Sequence, residues 1–164
     1  MALTTETIKT SLSSEVWHRQ QLWSHRLECY VNYLSALEQY GESCCQVAAT
    51  DRRMIEAIDR NLSIEQTNQR NAEYNSALDV FTSARQILTR SLFKAGIVAS
   101  GEPLRLIHIL KPEPDLKGHE QFDAEGGRIG AFMAHFMKAA RIDMQYQTNF
   151  IAQSDDPAEL TPSV

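Results

Sequence analysis

Residues 16–62 read VWHRQQLWSHRLECYVNYLSALEQYGESCCQVAATDRRMIEAIDRNL, and their periodicity decides the fold. Val16, Gln20, Trp23, Leu27, Tyr30, Leu34, Leu37, Gly41, Cys44, Ala48, Asp51, Ile55, Ile58 and Leu62 follow one another in strict alternating steps of four and three. All but Gln20, Gly41 and Asp51 are apolar, and no proline interrupts the run. Such a register is that of one continuous amphipathic helix with a coiled-coil-like seam, not of several short helices. From residue 13 to residue 61 it would extend about 70 Å, far beyond the dimensions of a compact chain of this size, so an elongated molecule is expected.

Working outward, Ser63 followed by Gln66 forms a capping box, and Glu65 stands where the positive end of a helix dipole favours it. A second helix is expected over 63–97. Its seam is Ile64, Thr67, Asn71, Tyr74, Leu78, Phe81, Arg85, Leu88, Leu92 and Ala95. The short connection around Asn61 forces the two helices antiparallel. Gly101, Pro103, Pro112, Pro114, Gly118, Gly126 and Gly127 then predict an irregular connection over 98–127. Within it, Leu104–Leu110 (LRLIHIL) fits a helical turn or an extended segment equally.

A third helix over 128–153 presents Ile129, Phe132, Met133, Phe136, Met137, Ala140, Met144 and Ile151 on one broad face. It is the natural cover for the end of the hairpin that the shorter second arm leaves bare, where Trp17 and Trp23 would bury against Phe132, Phe136 and Ala140. The expected architecture is all-α, a long antiparallel helical hairpin closed by a third helix. Residues 1–12 are expected to be a flexible N-terminus, 13–153 one helical domain and 154–164 a disordered tail.

Two stripes flank the seam of the first helix. One carries Trp17 and Val31 and turns polar beyond them. The other reads Tyr33, Tyr40, Val47 and Met54 at heptad spacing. In the expected layout nothing within the chain covers this second stripe, so it is read as the surface that packs a protein partner, as a homodimer or heteromer; the alternative is that the connection after Ser100 folds down over it. Near the tip the seam turns polar, and Asp51, Asn71 and Asn75 are expected to form a hydrogen-bonded layer that sets the register of the hairpin.

Chemistry-bearing patterns are sparse. Glu15-x-x-His18 is half of a ferritin-like di-iron pattern and His25-x-x-Glu28 its reverse, but both lie on one helix, whereas such centres draw ligands from four. The run Ala134–Ala140 (AHFMKAA) is similar to the AHxLKG motif of histidine phosphotransfer domains, with alanine in the glycine position. That motif belongs to an early helix of a four-helix core, and here it falls near the end of the chain. No nucleotide-binding glycine loop and no nucleophile with an adjacent base motif occurs. No cofactor and no metal are expected.

The 164 residues carry a net charge of −5 and are 43% hydrophobic, enough for a core without disulfides, and the acidic balance argues against a general nucleic-acid binder. Cys29, Cys44 and Cys45 match no zinc spacing and suit reduced thiols in the cytoplasm. No membrane span is expected. The reading that results is a non-enzymatic interaction module, such as an adaptor, chaperone or assembly component. The competing reading is an enzyme or sensor in which Glu15, His18, His25, His119 and His135 converge between the hairpin base and the third helix.

Overall fold

The computed structural model describes the backbone of residues 5–60, 62–113 and 115–154, and the side chains of 16–60, 62–113 and 115–145. It is an all-α helical hairpin bundle. Helix α1 (Thr5–Asp59) and helix α2 (Ile64–Val98) form the hairpin, helix α3 (Gly101–Ile109) is a short connector, and helix α4 (Gly118–Ser154) returns along α1. At 1.5 Å per residue α1 alone is about 82 Å long. The capping box is formed: the Ser63 hydroxyl accepts from the Gln66 N–H while the Gln66 side chain accepts from the Ser63 N–H.

The first helix already includes Thr5, ahead of the expected start at residue 13, so residues 5–12 are helical; residues 1–4 lie outside the described residues. The expected tail from residue 155 lies outside the described residues. In the connection, Leu104–Ile109 is helical, and Ile107 and Leu110 enter the core.

The larger correction concerns α4, which starts at Gly118, ten residues before the expected boundary. Gly118 has φ of 70° and supplies the left-handed turn that starts the helix. Gly126 and Gly127 lie inside the helix. Read as a breaker, Gly126 instead permits close approach to α1: a Cβ added there would lie 3.0 Å from the Cys45 Sγ and 3.4 Å from the Gly41 carbonyl oxygen. Gly41 answers from the other side, where an added Cβ would come within 3.3 Å of Ile129 Cγ2. Two glycines thus bring the α1 and α4 backbones together.

The core follows α1. Tyr30, Tyr33, Leu37, Tyr40, Cys44 and Val47 face Ala77, Phe81, Ala84 and Leu88 of α2 and Phe122, Ile129, Phe132 and Phe136 of α4. Edge-on ring contacts tie the three helices: Tyr33 to Phe136 at 5.0 Å and Phe81 to Phe122 at 5.1 Å between centroids. Helices α2 and α4 are not coextensive. Arg26 reaches Ser100, just past the end of α2, and Asp51 reaches His119, at the start of α4. Only between these levels is α1 covered by both.

If close approach is the role of Gly126, the glycines of α4 must differ. Nothing lies within 4 Å of a Cβ added at Gly127 or Gly130. Gly127→Ala and Gly130→Ala are therefore expected to stabilise the protein by about 0.5–1 kcal/mol each, through helix propensity. Gly126→Leu is expected to destabilise it by about 1–3 kcal/mol. Thermal or urea unfolding of the three variants checks the contrast.

Candidate interaction surface

The stripe expected to bind a partner is buried inside the chain. Tyr33, Tyr40 and Val47 are 0% exposed and Met54 is partly buried. Part of the reason is the early start of α4, whose first turns carry Phe122 and Glu125 to the flank of α1 at Tyr40; Tyr33 is covered by Phe132 and Phe136, in the stretch of α4 that the sequence reading did expect. At Tyr40 the alternative cover, from the connection after Ser100, is the one the molecule uses, with the added residues helical.

This stripe carries a buried polar clasp. Glu125 is 4% exposed and accepts hydrogen bonds from the Tyr40 hydroxyl at 3.1 Å, the Glu113 N–H at 3.3 Å and Arg128 Nε and Nη2 at 2.7 and 2.8 Å. Arg128 also donates to the Lys111 carbonyl at 2.9 Å, so the loop before α4 is bound to the helix it precedes. Burial alone would raise the Glu125 carboxyl, but its donors, Arg128 foremost, hold it below the ordinary range. Burial, then the charge of Glu125, pushes the Cys44 thiol up to about 12. Cys44 is a core residue and an inert thiol.

Because Glu125 is depressed in the folded state, its contribution to stability is present above the ordinary value near 4.5 and is lost as pH falls through the lower folded value. Glu125→Ala removes the acceptor of the buried Tyr40 hydroxyl, while the half-exposed Arg128 guanidinium can turn to water, and is expected to cost about 1–3 kcal/mol at neutral pH, with that loss shrinking as pH falls below 4.5. Urea denaturation of wild type and variant across this range measures both.

The polar layer is also rearranged. Asp51 is buried, but its carboxylate accepts from the His119 N–H at 2.8 Å and lies 3.3 Å from that residue's Nδ1. Asn71 and Asn75 are exposed. Asp51 therefore caps the start of α4 instead of fixing α1 against α2, because a carboxylate finds better donors in the open first turn of a helix than in a neighbouring amide. Tyr74 lies near Asp51: its hydroxyl is raised by burial and then by the charge of Asp51. Asp51→Ala is expected to cost about 1–2 kcal/mol, whereas Asn71→Ala should stay within about 0.5 kcal/mol of wild type. Equal losses in chemical denaturation would restore the register role.

At the base, Arg26 and the hydroxyls of Tyr30 and Ser100 converge on Asp143, with distances of 3.2, 2.8 and 2.6 Å. This cluster joins α1, α4 and the α2–α3 junction. Beyond it, Trp17 is 56% exposed and rests edge-on against His18, while Trp23 is partly buried against the core. Phe132 and Phe136 do not meet Trp17: they lie opposite Tyr30 and Tyr33, because the longer α4 places its middle there.

The histidines do not converge. His119 sits beside Asp51, whereas His18 and His25 lie about 50 and 39 Å away along α1. His135 is exposed on α4, and the Glu15 side chain lies outside the described residues. Among the described residues no group of three histidines, cysteines or carboxylates is placed to hold a metal, and no helix is long and apolar enough to cross a membrane. Compared with known proteins, the chain matches no family model, no curated protein and no solved structure.

The surface the sequence reading missed is at the ends of α1. Cys29, Ala36, Ser43, Thr50 and Ala57, spaced by seven, are all buried along one track of α1. Ser43 marks the track's partner, since it lies with Asp79, Ser83 and Ala84 of α2 along the seam of the two helices. The preceding member of the track is Leu22, and it is 68% exposed, for α2 has ended. At the tip, beyond the start of α4, Ile55, Ile58 and Ile64 are exposed for the same reason. The heptad spacing and the shorter reach of the second arm were legible, but the level along α1 at which α4 starts was not.

Proposed function

We propose that the protein is a non-enzymatic helical interaction module, an adaptor, chaperone or assembly component, that binds protein partners at the bare ends of α1. The observation that supports this reading is Leu22: it occupies a track that is buried for the rest of its described length, and it is exposed where the covering helix stops. A core position laid open at the end of a packed helix pair is a ready seat for another helix. The base also carries the exposed Trp17, on another face of the same helix, so it has more aromatic surface than the tip. The three free thiols suit a reducing, cytoplasmic setting.

A photo-crosslinking benzoylphenylalanine in place of Leu22 should give a discrete heavier product in the native host, and the product should be lost when Trp17→Glu is added. The same group in place of Gln86, exposed on α2 away from the base, should give none. Absence of any product at position 22 and at position 58 would overturn the reading.

A further inference from the structure

We infer that the open groove between α1 and α2, which no residue of α4 lines, seats a basic amphipathic helix from a partner protein. This surface lies apart from the ends of α1 on which the module reading rests, and a different experiment decides it.

The groove has the shape of a helix seat. It runs along the middle of the hairpin and encloses about 420 Å³. Ser43 and Ala84, 3% and 5% exposed, form its floor, and Val80 and Ile87, 47% and 45% exposed, stand along one wall. Small residues recur every seven positions on both helices, at Ala36, Ser43 and Thr50 on α1 and at Ala77, Ala84 and Ser91 on α2. A third backbone can therefore lie low between the two axes. The interval from Val80 to Ile87 is two helical turns, about 10.5 Å, which leucines on a seated helix match turn for turn.

The charge of the groove favours a basic occupant. Residues 27–51 of α1 and 71–84 of α2 contain Glu28, Glu38, Glu42, Asp51, Glu73 and Asp79 and neither lysine nor arginine. Three of these carboxylates are engaged: Asp51 with His119, Glu73 with Arg70, and Glu28 beside Cys29, where Lys94 opposes its charge. Glu38, Glu42 and Asp79 are exposed and have no ion pair among the described residues. Glu42 and Asp79 line the groove from its two sides. Arg85, the first cation of α2 beyond this stretch, is turned to the other flank, where its charge bears on the buried Tyr40. Arg90, one turn past Ile87, and Arg53 bound the acidic stretch at its ends. Two unpaired carboxylates facing each other across an apolar wall thus attract a helix that carries lysine or arginine, and the net charge of −5 adds to that attraction.

Three fluorescein-labelled peptides of about 18 residues, five turns, serve as probes. The first has leucine at its seam positions and lysine at the exposed ones, the second has glutamate in place of the lysines, and the third keeps the lysines and has glutamine in place of the leucines. At low ionic strength, fluorescence anisotropy should show the first binding at least about tenfold more tightly than either of the others, with its lead over the second shrinking as salt is added. Ser83→Trp fills the groove at an exposed position, so it should retain wild-type circular dichroism and weaken the first peptide about tenfold or more. The double change Glu42→Lys and Asp79→Lys should reverse the preference between the first and second peptides, whereas Glu120→Lys, exposed on α4, should leave it unchanged.

Equal affinity for the first two peptides, no binding of the first, equally tight binding of the third, affinity that survives both Ser83→Trp and the double change, or a wild-type dimer that Ser83→Trp dissociates would each overturn the inference. Crosslinking at position 22 in cells together with failure of the first peptide would reject the groove and leave the ends of α1 standing. The converse pair of results would reject the ends and leave the groove.

Discussion

The close approach of α4 to α1 at Gly41 and Gly126 is the constraint on which the rest of the molecule depends. With no Cβ on either side, the helices come near enough for Ile129 to rest on Gly41 and for Cys45 to lie against Gly126. Glu125, just N-terminal to that crossing on α4, then falls on the flank of α1 that carries Tyr40 and Val47. Glu125 is carried into the core by the same approach, and its burial is tolerable because Tyr40, Arg128 and the Glu113 N–H all donate to it. Packing and polar satisfaction thus meet at one level of the bundle.

Much of the architecture was legible because periodicity and capping are local. The alternating register of α1, the Ser63–Gln66 box and the apolar face of α4 each follow from residues within a few turns of one another. The start of α4 was not legible, for a glycine in a sequence can mark a break or a close contact, and only the neighbouring helix distinguishes them. Gly118, at positive φ, is the turn; Gly126 is the contact. That one ambiguity carried over to the surface, since Glu125, which clasps Tyr40, lies on the stretch of α4 that the expected boundary left out, whereas Tyr33 is met by Phe132 and Phe136 in either case. Asp51 was misassigned for a related reason: its donor at His119 is 68 residues away in sequence.

The exposed apolar residues acquire a pattern once the unequal reach of α2 and α4 is considered. Leu22 at one end and Ile58 at the other belong to tracks that are buried in the middle of α1, so their exposure marks where a flanking helix stops rather than an arbitrary surface composition. The cluster at Asp143 lies at the inner edge of the base arm and ties three elements together there. It gives the arm a fixed root, which reduces the ordering that any docking event would require.

Because α1 is a single unbroken helix, Leu22 and Ile58 are separated by a set length of about 54 Å. The central section, sheathed on two sides, resists bending between them. The chain is in that sense a strut: whatever seats at one extremity is kept at a defined spacing from whatever seats at the other, and inserting or deleting whole heptads in the sheathed section would change that spacing while preserving the facing of both.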